Sequence, residues 1–327
     1  MNEGKATVLA EDRISYRVQF WILLILALLS LSCSLFLIVR FLVNRSMISA
    51  VHNHIMLILI LSNVLLIITD VSWMLDTLRN NGKVSFRTSS FCLSWWFFDY
   101  TLYTIQSVLL GWASIERHIL VFHRNIMVTT SQKWFIHYMP MILLIVYLVC
   151  FRIGIIFFPP CENSFDFNRI ECGASLCYFE IGWLVIWDKL IHSVLPTFII
   201  TIFNVALMYR IVAQKKRLHQ PIQWKKQIRI SMQLIPISAI YLFLNLPMMI
   251  IYIIQIIGRT RSTSSYGTEL YKFFSGYIVN LSIPIVFCIN SLCAEKHQNL
   301  RISPTASLLP SRNPRERNIR TITQKFS

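Results

Sequence analysis

The chain has 327 residues, of which 55% are hydrophobic and only 14% are charged, and its mean hydropathy is +0.56. A soluble domain of this length is not expected to be so apolar, so we predict a protein that folds in lipid. The net charge of +16 would also fit a nucleic-acid-binding protein. However, the basic residues lie beside apolar stretches rather than in a soluble basic domain, so no nucleic-acid partner is expected.

Seven apolar stretches follow one another, and each is long enough to cross a bilayer as a helix of about 20 residues. Helices are expected because hydrocarbon offers no water to backbone N–H and C=O groups, and barrel strands would be about half as long. The stretches are Phe20–Val43, Ile55–Leu75, Cys92–Val121, Phe135–Phe158, Ile181–Val212, Ile228–Ile257 and Leu270–Leu292. The sequence therefore predicts an all-α seven-transmembrane helix bundle over residues 18–293, between an N-terminal segment 1–17 and a tail 294–327.

Basic residues gather on one side of the predicted membrane. If the N-terminus is outside, the cytoplasmic side consists of the loops after the first, third and fifth stretches, the adjoining ends of the stretches, and the tail. This side carries nineteen basic and three acidic residues. Because basic residues accumulate on the cytoplasmic side, we predict an extracellular N-terminus and a cytoplasmic C-terminus. The basic loops are also expected to contact anionic membrane lipid. A short amphipathic helix is predicted at the start of the tail, over Cys293–Ile302.

Four cysteines fall on the predicted outer side, which predicts two disulfides in an oxidising compartment. These are Cys92, Cys161, Cys172 and Cys177. The favoured pairing joins Cys161 to Cys172 as a local loop closure and Cys92 to Cys177 as a tie between the third stretch and the long outer loop. The alternative is a bond between Cys92 and Cys172.

The third stretch begins at Cys92 and ends in Glu116-Arg117-His118, with 25 residues from the cysteine to the arginine. This spacing resembles the cysteine and the Asp-Arg-Tyr motif of rhodopsin-like G-protein-coupled receptors. Prolines also match the family's prolines, and the resemblance implies that they act as helix hinges, because proline removes a backbone hydrogen bond. They lie in the fifth, sixth and seventh stretches and are Pro196, Pro247 and Pro284.

The chain also departs from the family pattern, so it resembles a divergent member. Asn63 stands where the second span usually has an aspartate, and it lacks the negative charge that the family's internal sodium site uses. The other replacements are Ser34 for asparagine, Asn204 for tyrosine, Asn245 for tryptophan, and Ile283 and Phe287 for the asparagine and tyrosine of the seventh span.

The resemblance implies how the cytoplasmic end of the third stretch works. Glu116 would hold Arg117 in the resting state and release it to a heterotrimeric G protein when the sixth span swings outward, with His118 beside them. Gln227, near the start of the sixth stretch, offers no second carboxylate to hold Arg117, so we predict appreciable basal activity. The alternative is that Arg117 is a helix-end arginine whose charge reaches the membrane surface.

Charged residues at membrane depth are costly and usually mark function, and Asp99 is the most informative of them. It lies seven residues, about two helical turns, after Cys92. There it is similar to the aspartate that binds a ligand cation in receptors for amines and several cationic peptides. The alternative is that Asp99 pairs internally with Lys189.

We therefore expect an extracellular ligand that is a cationic peptide or amine. Tyr277 matches the tyrosine that often hydrogen-bonds the ligand-binding aspartate in the family. The expected ligand-binding residues are Asp99, Tyr103, Trp95, Asp188, Lys189, His192, Tyr252 and Tyr277.

Other classes of function have less support. A chemosensory receptor for another ligand class and a seven-span transporter are the alternatives, although the two halves lack the repeat that marks many transporters. The sequence has no metal-ligand spacing, phosphate loop or nucleophile elbow, so no enzyme activity, cofactor or metal is expected. The resemblance further implies a plasma-membrane location, with arrestin and receptor kinases as additional partners.

Overall fold

The computed structural model describes residues 2–44, 52–122, 129–173, 176–217, 235–247, 250, 253 and 276–293. Every regular element in this part of the chain is a helix, which confirms the predicted all-helical class. Three predicted features lie outside the described residues: the tail 294–327, the expected ligand-binding residue Tyr252, and Gln227 near the start of the predicted sixth stretch.

The helices follow the predicted apolar stretches. They are α1 (Asn2–Val43), α2 (His52–Leu66), α3 (Ser72–Arg79), α4 (Ser89–Phe122), α5 (Thr130–Lys133), α6 (Met139–Phe157), α7 (Gly182–Lys189), α8 (Leu195–Arg217), α9 (Ile235–Pro247) and α10 (Gly276–Cys293). Three π-helical turns connect α2 to α3, α5 to α6 and α7 to α8 as continuous helical runs. They cover Ile67–Val71, Trp134–Tyr138 and Leu190–Val194.

Five helical runs of the described residues are long and apolar enough to cross a membrane. They correspond to the first, second, fourth, fifth and seventh predicted stretches and cover Ser15–Val43, Asn53–Arg79, Ser131–Phe157, Gly182–Arg210 and Gly276–Cys293. The protein is therefore a helical protein with several helices suited to a membrane. Seven spans and the sidedness of the termini remain predictions.

The two remaining stretches differ in physical character. α9, as far as the structure describes it, is a shorter apolar helix within the predicted sixth stretch. α4 has ample length, at 34 residues, but carries Asp99, Glu116 and Arg117. It packs against α2, α6 and α8, so most of its surface meets protein. Because neighbouring helices cover it, α4 does not need the uniformly apolar surface that contact with lipid would require.

Two clusters of buried apolar side chains fill the bundle, one along each half of α4. The first surrounds the disulfide-bonded Cys92, at what we term the disulfide end, and includes Val71, Met74, Trp95, Trp96 and Tyr178. The second lies toward Arg117, at what we term the arginine end, and includes Leu59, Leu109, Ile200, Tyr241 and Phe287.

Large apolar side chains also point away from the bundle. Leu28 is 56% exposed, Leu143 55% and Ile202 61%, although each belongs to a long apolar helix. Contiguous apolar surface of this kind is unfavourable in water and marks contact with another apolar phase. The outward faces are therefore those of a membrane protein.

The predicted hinge prolines occupy three different positions. Pro196 is buried near the start of α8, two residues after a π-helical turn, and Pro247 is the last described residue of α9. Pro284 lies inside α10. Gly111 of α4 faces Pro196, and a Cβ built on Gly111 would lie 3.7 Å from the Pro196 carbonyl oxygen. α4 and α8 therefore approach closely at this point, whereas hinge motion itself stays a prediction.

We expect Gly111→Leu to lower the free energy of unfolding by about 1–3 kcal/mol, because the side chain overfills the contact with Pro196. Gly111→Ala should be tolerated, since its Cβ meets ordinary contact distances. Gly154→Leu is the matched control, because a Cβ there meets no atom within 4 Å. Thermal unfolding in lipid nanodiscs measures all three. Equal stability of the two leucine variants would contradict the prediction.

Candidate functional site

The loop between α6 and α7 is tied by two disulfides that join Cys92 to Cys172 and Cys161 to Cys177. The favoured pairing of Cys92 with Cys177 and of Cys161 with Cys172 is therefore wrong, and the alternative bond from Cys92 to Cys172 is present. Cys161 can close a short loop with either Cys172 or Cys177, so the spacing of the cysteines could not decide between the two pairings. Glu171 and Cys172 have positive φ angles of 52° and 54°, and this turn accompanies the approach of Cys172 to α4.

Trp96 holds the same loop against the disulfide end of α4. Its indole Nε1 donates a hydrogen bond of 2.7 Å to the backbone carbonyl of Glu171, beside the disulfide-bonded Cys172. Its ring stacks on Phe165 at a centroid distance of 5.2 Å. The disulfide and the buried indole together fix where the loop lies over this end of the bundle.

Two of the predicted ligand-binding aromatics contact a different carboxylate, that of Asp70. Asp70 is fully buried, and its Oδ1 accepts hydrogen bonds from Trp95 Nε1 at 2.7 Å and from Tyr277 Oη at 3.2 Å. Trp95 and Tyr277 thus hold an internal acid. Asp70 Oδ2 is buried and has no hydrogen-bond partner in the described part of the structure.

Asp99 lies on α4 within electrostatic range of Asp70, Glu171 and Arg152. Its side chain is half-buried. Among the described residues, its carboxylate makes no hydrogen bond or ion pair. The alternative partner Lys189 instead places its ammonium over the ring of Phe179, 5.6 Å from the centroid. Asp99 is therefore an acid at the disulfide end whose charge no described cation contacts.

Tyr103 lies one turn beyond Asp99 on α4 and reaches α9. Its hydroxyl donates a 2.6 Å hydrogen bond to Asn245 Oδ1, and Asn245 Nδ2 donates to the backbone carbonyl of Tyr241. One turn further, the hydroxyls of Ser107 and Tyr241 lie 2.6 Å apart. The asparagine that departs from the family pattern is thus part of a polar seam between α4 and α9.

Asp188 and His192, both predicted to bind ligand, belong to a buried ion network centred on Arg152. Arg152 Nη2 lies 2.9 Å from Asp188 Oδ1, and His192 Nδ1 lies 2.7 Å from the same oxygen. Arg152 also donates to Thr104 Oγ1 at 3.0 Å. The guanidinium faces the ring of Tyr100 at 5.7 Å. These contacts satisfy the Asp188 carboxylate inside the protein, so it is not free for a ligand.

Tyr178, between the second disulfide and α7, closes this network. Its hydroxyl donates to Asp188 Oδ2 at 3.1 Å and accepts from Arg152 Nη1 at 3.4 Å. Burial, and then the negative charge of Asp188, raises the pKa of Tyr178, so the hydroxyl stays protonated and remains a donor. The loop is therefore coupled to the ion network through one phenol.

At the arginine end, Glu116 and Arg117 are both buried, with 1% and 2% of their surface exposed. The Glu116 carboxylate contacts His137 of the π-helical turn Trp134–Tyr138, with 2.7 Å between Oε1 and Nδ1. No ion pair joins Glu116 to Arg117 in the described structure, although Glu116 acts on Arg117 electrostatically. His118 meets Phe203 edge-on at 5.6 Å.

Three polar residues named above as departures, Asn63, Ser34 and Asn204, are buried and lie within hydrogen-bonding distance of neighbouring polar groups. Asn63 Nδ2 donates to Ser30 Oγ at 2.9 Å, and Ser34 Oγ lies 3.5 Å away. Asn204 Nδ2 donates to Ser114 Oγ at 3.2 Å, which links α8 to α4. Neutral polar pairs thus occupy these buried positions.

Sequence reasoning missed several residues of these sites, among them Arg152, Tyr178 and His137. Arg152 interrupts the apolar stretch Phe135–Phe158, and a charge at that depth is a signal that could have found it. His137 carries no such signal, because a histidine near the end of a stretch is ordinary. Its importance comes only from the tertiary contact with Glu116.

No protein-family model and no curated protein matches this chain. What the chain does is therefore inferred from its own residues, above all from Asp99 near one end of α4 and from Glu116 and Arg117 near the other.

We expect Arg152→Met to lower the free energy of unfolding by about 3–5 kcal/mol, because it leaves the Asp188 charge buried without its main cation. Adding Asp188→Leu to Arg152→Met should recover at least about half of that loss, since no uncompensated charge remains. Thermal unfolding of the purified variants measures this.

The control for that experiment is Arg169→Ala, which removes an exposed pair with Asp166 and should cost less than about 1 kcal/mol. Equal losses for Arg152→Met and Arg169→Ala would contradict the structural role given to the buried pair.

Proposed function

We propose that this chain is a divergent rhodopsin-like G-protein-coupled receptor of the plasma membrane, with seven spans, an extracellular N-terminus and a cytoplasmic C-terminus. In this proposal, it binds a cationic peptide or amine through Asp99. It then activates a heterotrimeric G protein through Arg117, and arrestin and receptor kinases act on the activated form.

The observation that carries the proposal is the layout of α4. Near one end, Cys92 is bonded to Cys172 of a loop that lies over the helix. Near the other end, about 25 residues away in sequence, Glu116 and Arg117 are buried together. One end of this helix has a tethered loop and a carboxylate, Asp99, that pairs with no described residue, and the other end has a buried arginine. This layout supports a protein that relates a ligand to a cytosolic partner.

The proposal counts α4 and α9 as the third and sixth spans. Support comes from their surroundings, since α4 is enclosed by α2, α6 and α8 and therefore tolerates polar residues. α9 bonds to α4 through Tyr103 and Asn245. The five helices that are apolar enough to cross by themselves would supply the other spans.

The proposed class of ligand follows from which carboxylates already have a cationic partner within the protein. Asp188 is paired with Arg152 and His192, so it adds little attraction for a ligand. Asp99 has no such contact in the described part of the chain, and Asp70 and Glu171 add negative charge within electrostatic range of it. A positively charged group is the chemistry that this arrangement favours. Trp95 and Tyr103 stand four residues before and after Asp99, on the same face of α4.

We expect Asp99→Asn to weaken agonist potency by about 10- to 150-fold, because a charged hydrogen bond of about 1.5–3 kcal/mol is lost. The measurement is G-protein nucleotide exchange against a panel of amines and cationic peptides, with surface expression matched between variants. Asp76→Asn is the control, since Asp76 is exposed on the neighbouring α3. Unchanged potency in Asp99→Asn would remove Asp99 from the ligand site.

We also expect the ligand-free protein to drive nucleotide exchange above that of empty nanodiscs, because Gln227 provides no second acid for Arg117 and Glu116 is bound to His137. Arg117→Ala should abolish this basal exchange, whereas Arg87→Ala, at an exposed position, should preserve it. The expectation of basal activity fails if exchange equals that of empty nanodiscs although an agonist activates the same preparation.

A further inference from the structure

Glu116 of α4 and His137 of the π-helical turn Trp134–Tyr138 form a buried contact at the arginine end. Oε1 and Nδ1 are 2.7 Å apart, with 1% of Glu116 and none of His137 exposed. The two atoms are in close contact, although the ring N–H is not aligned as in a good hydrogen bond. A carboxylate buried in an apolar interior requires such a partner, because burial without one is strongly unfavourable.

His137 is held in place from its other side. Its Nε2 lies 3.4 Å from Nδ1 of His54, and the same His54 nitrogen lies 3.1 Å from the hydroxyl of Tyr138. The ring of Tyr138 also meets the His137 ring edge-on at 4.6 Å. α2 and the π-helical turn therefore position the imidazole that contacts Glu116. π-helical turns occur often at functional sites, where the extra residue redirects a side chain.

We infer that His137 is a positioning residue that competes with Arg117 for the carboxylate of Glu116. The inference rests on the proposed function, in which Arg117 must be released before it can contact a G protein. Glu116 has its close contact with His137, while no described ion pair joins it to Arg117. His137 thus weakens the hold of Glu116 on Arg117 and raises basal coupling.

When His137 becomes phenylalanine, Glu116 loses its partner and turns to Arg117, so basal exchange falls. The fall should be at least about fivefold, the lower end of typical coupling between two sites. In a Glu116→Gln background, the same phenylalanine should have no effect, because the carboxylate for which His137 and Arg117 compete is gone.

The experiment uses the purified full chain in lipid nanodiscs and two measurements, basal G-protein nucleotide exchange and the thermal unfolding midpoint. The variants are His137→Phe, Glu116→Gln and their combination. His137→Gln keeps an N–H donor for Glu116 and should recover most of the exchange lost in His137→Phe. Phe135→Leu is the matched control, because Phe135 lies on the same π-helical turn and is 61% exposed.

Two results would overturn the inference. One is that His137→Phe lowers basal exchange by the same factor in the wild-type protein and in the Glu116→Gln variant. A histidine with a merely structural role would behave in this way. The other is strict additivity of the unfolding midpoints across the four proteins, because residues in direct contact give non-additive changes.

The design separates this inference from the proposed function. If neither the wild type nor any variant drives exchange, with or without the ligand panel, the proposed function fails. In that case the unfolding midpoints alone test whether His137 and Glu116 interact. Non-additive changes support His137 as the residue that positions Glu116, and additive changes overturn that role.

Discussion

The pairing of Arg152 with Asp188 is the interaction around which the disulfide end is arranged. A buried charge is strongly destabilising unless an opposite charge and hydrogen bonds satisfy it. Asp188 Oδ1 lies 2.9 Å from Arg152, and Tyr178 reaches the second oxygen from the loop between α6 and α7. One ion pair therefore connects α6, the end of α7 and the disulfide-bonded loop, and it determines which charges remain for the proposed ligand.

The need to satisfy buried charges also explains how α4 can carry polar residues. Glu116 is met by His137, and Asp70 accepts hydrogen bonds from Trp95 of α4 and from Tyr277 of α10. Glu116 and Asp70 each have a partner on a neighbouring element. The elements around α4 therefore supply polar contacts that lipid could not. Asp99 is the exception among the described acids of this helix, which is why it is the residue proposed to meet a ligand.

The sequence predicted what depends on local composition, and it failed where tertiary contacts decide. Helix class and the five apolar runs follow from stretches such as Phe20–Val43, because length and hydropathy are local properties. The partner of Asp188 could not be predicted, since it depends on which faces of α6 and α7 meet. The disulfides failed for the same reason: Cys161 can reach Cys172 or Cys177, and only the folded loop distinguishes them.

The polar seam between α4 and α9 gives the proposed receptor a physical link between its two sites. Asp99, Tyr103 and Ser107 succeed one another at intervals of four residues, about one helical turn, on α4. Tyr103 and Ser107 both make 2.6 Å contacts with α9, through Asn245 and Tyr241. An outward swing of α9 must break these contacts. A ligand that binds Asp99 therefore acts one turn from the bonds whose loss the swing requires, and it favours the open state only if it weakens them.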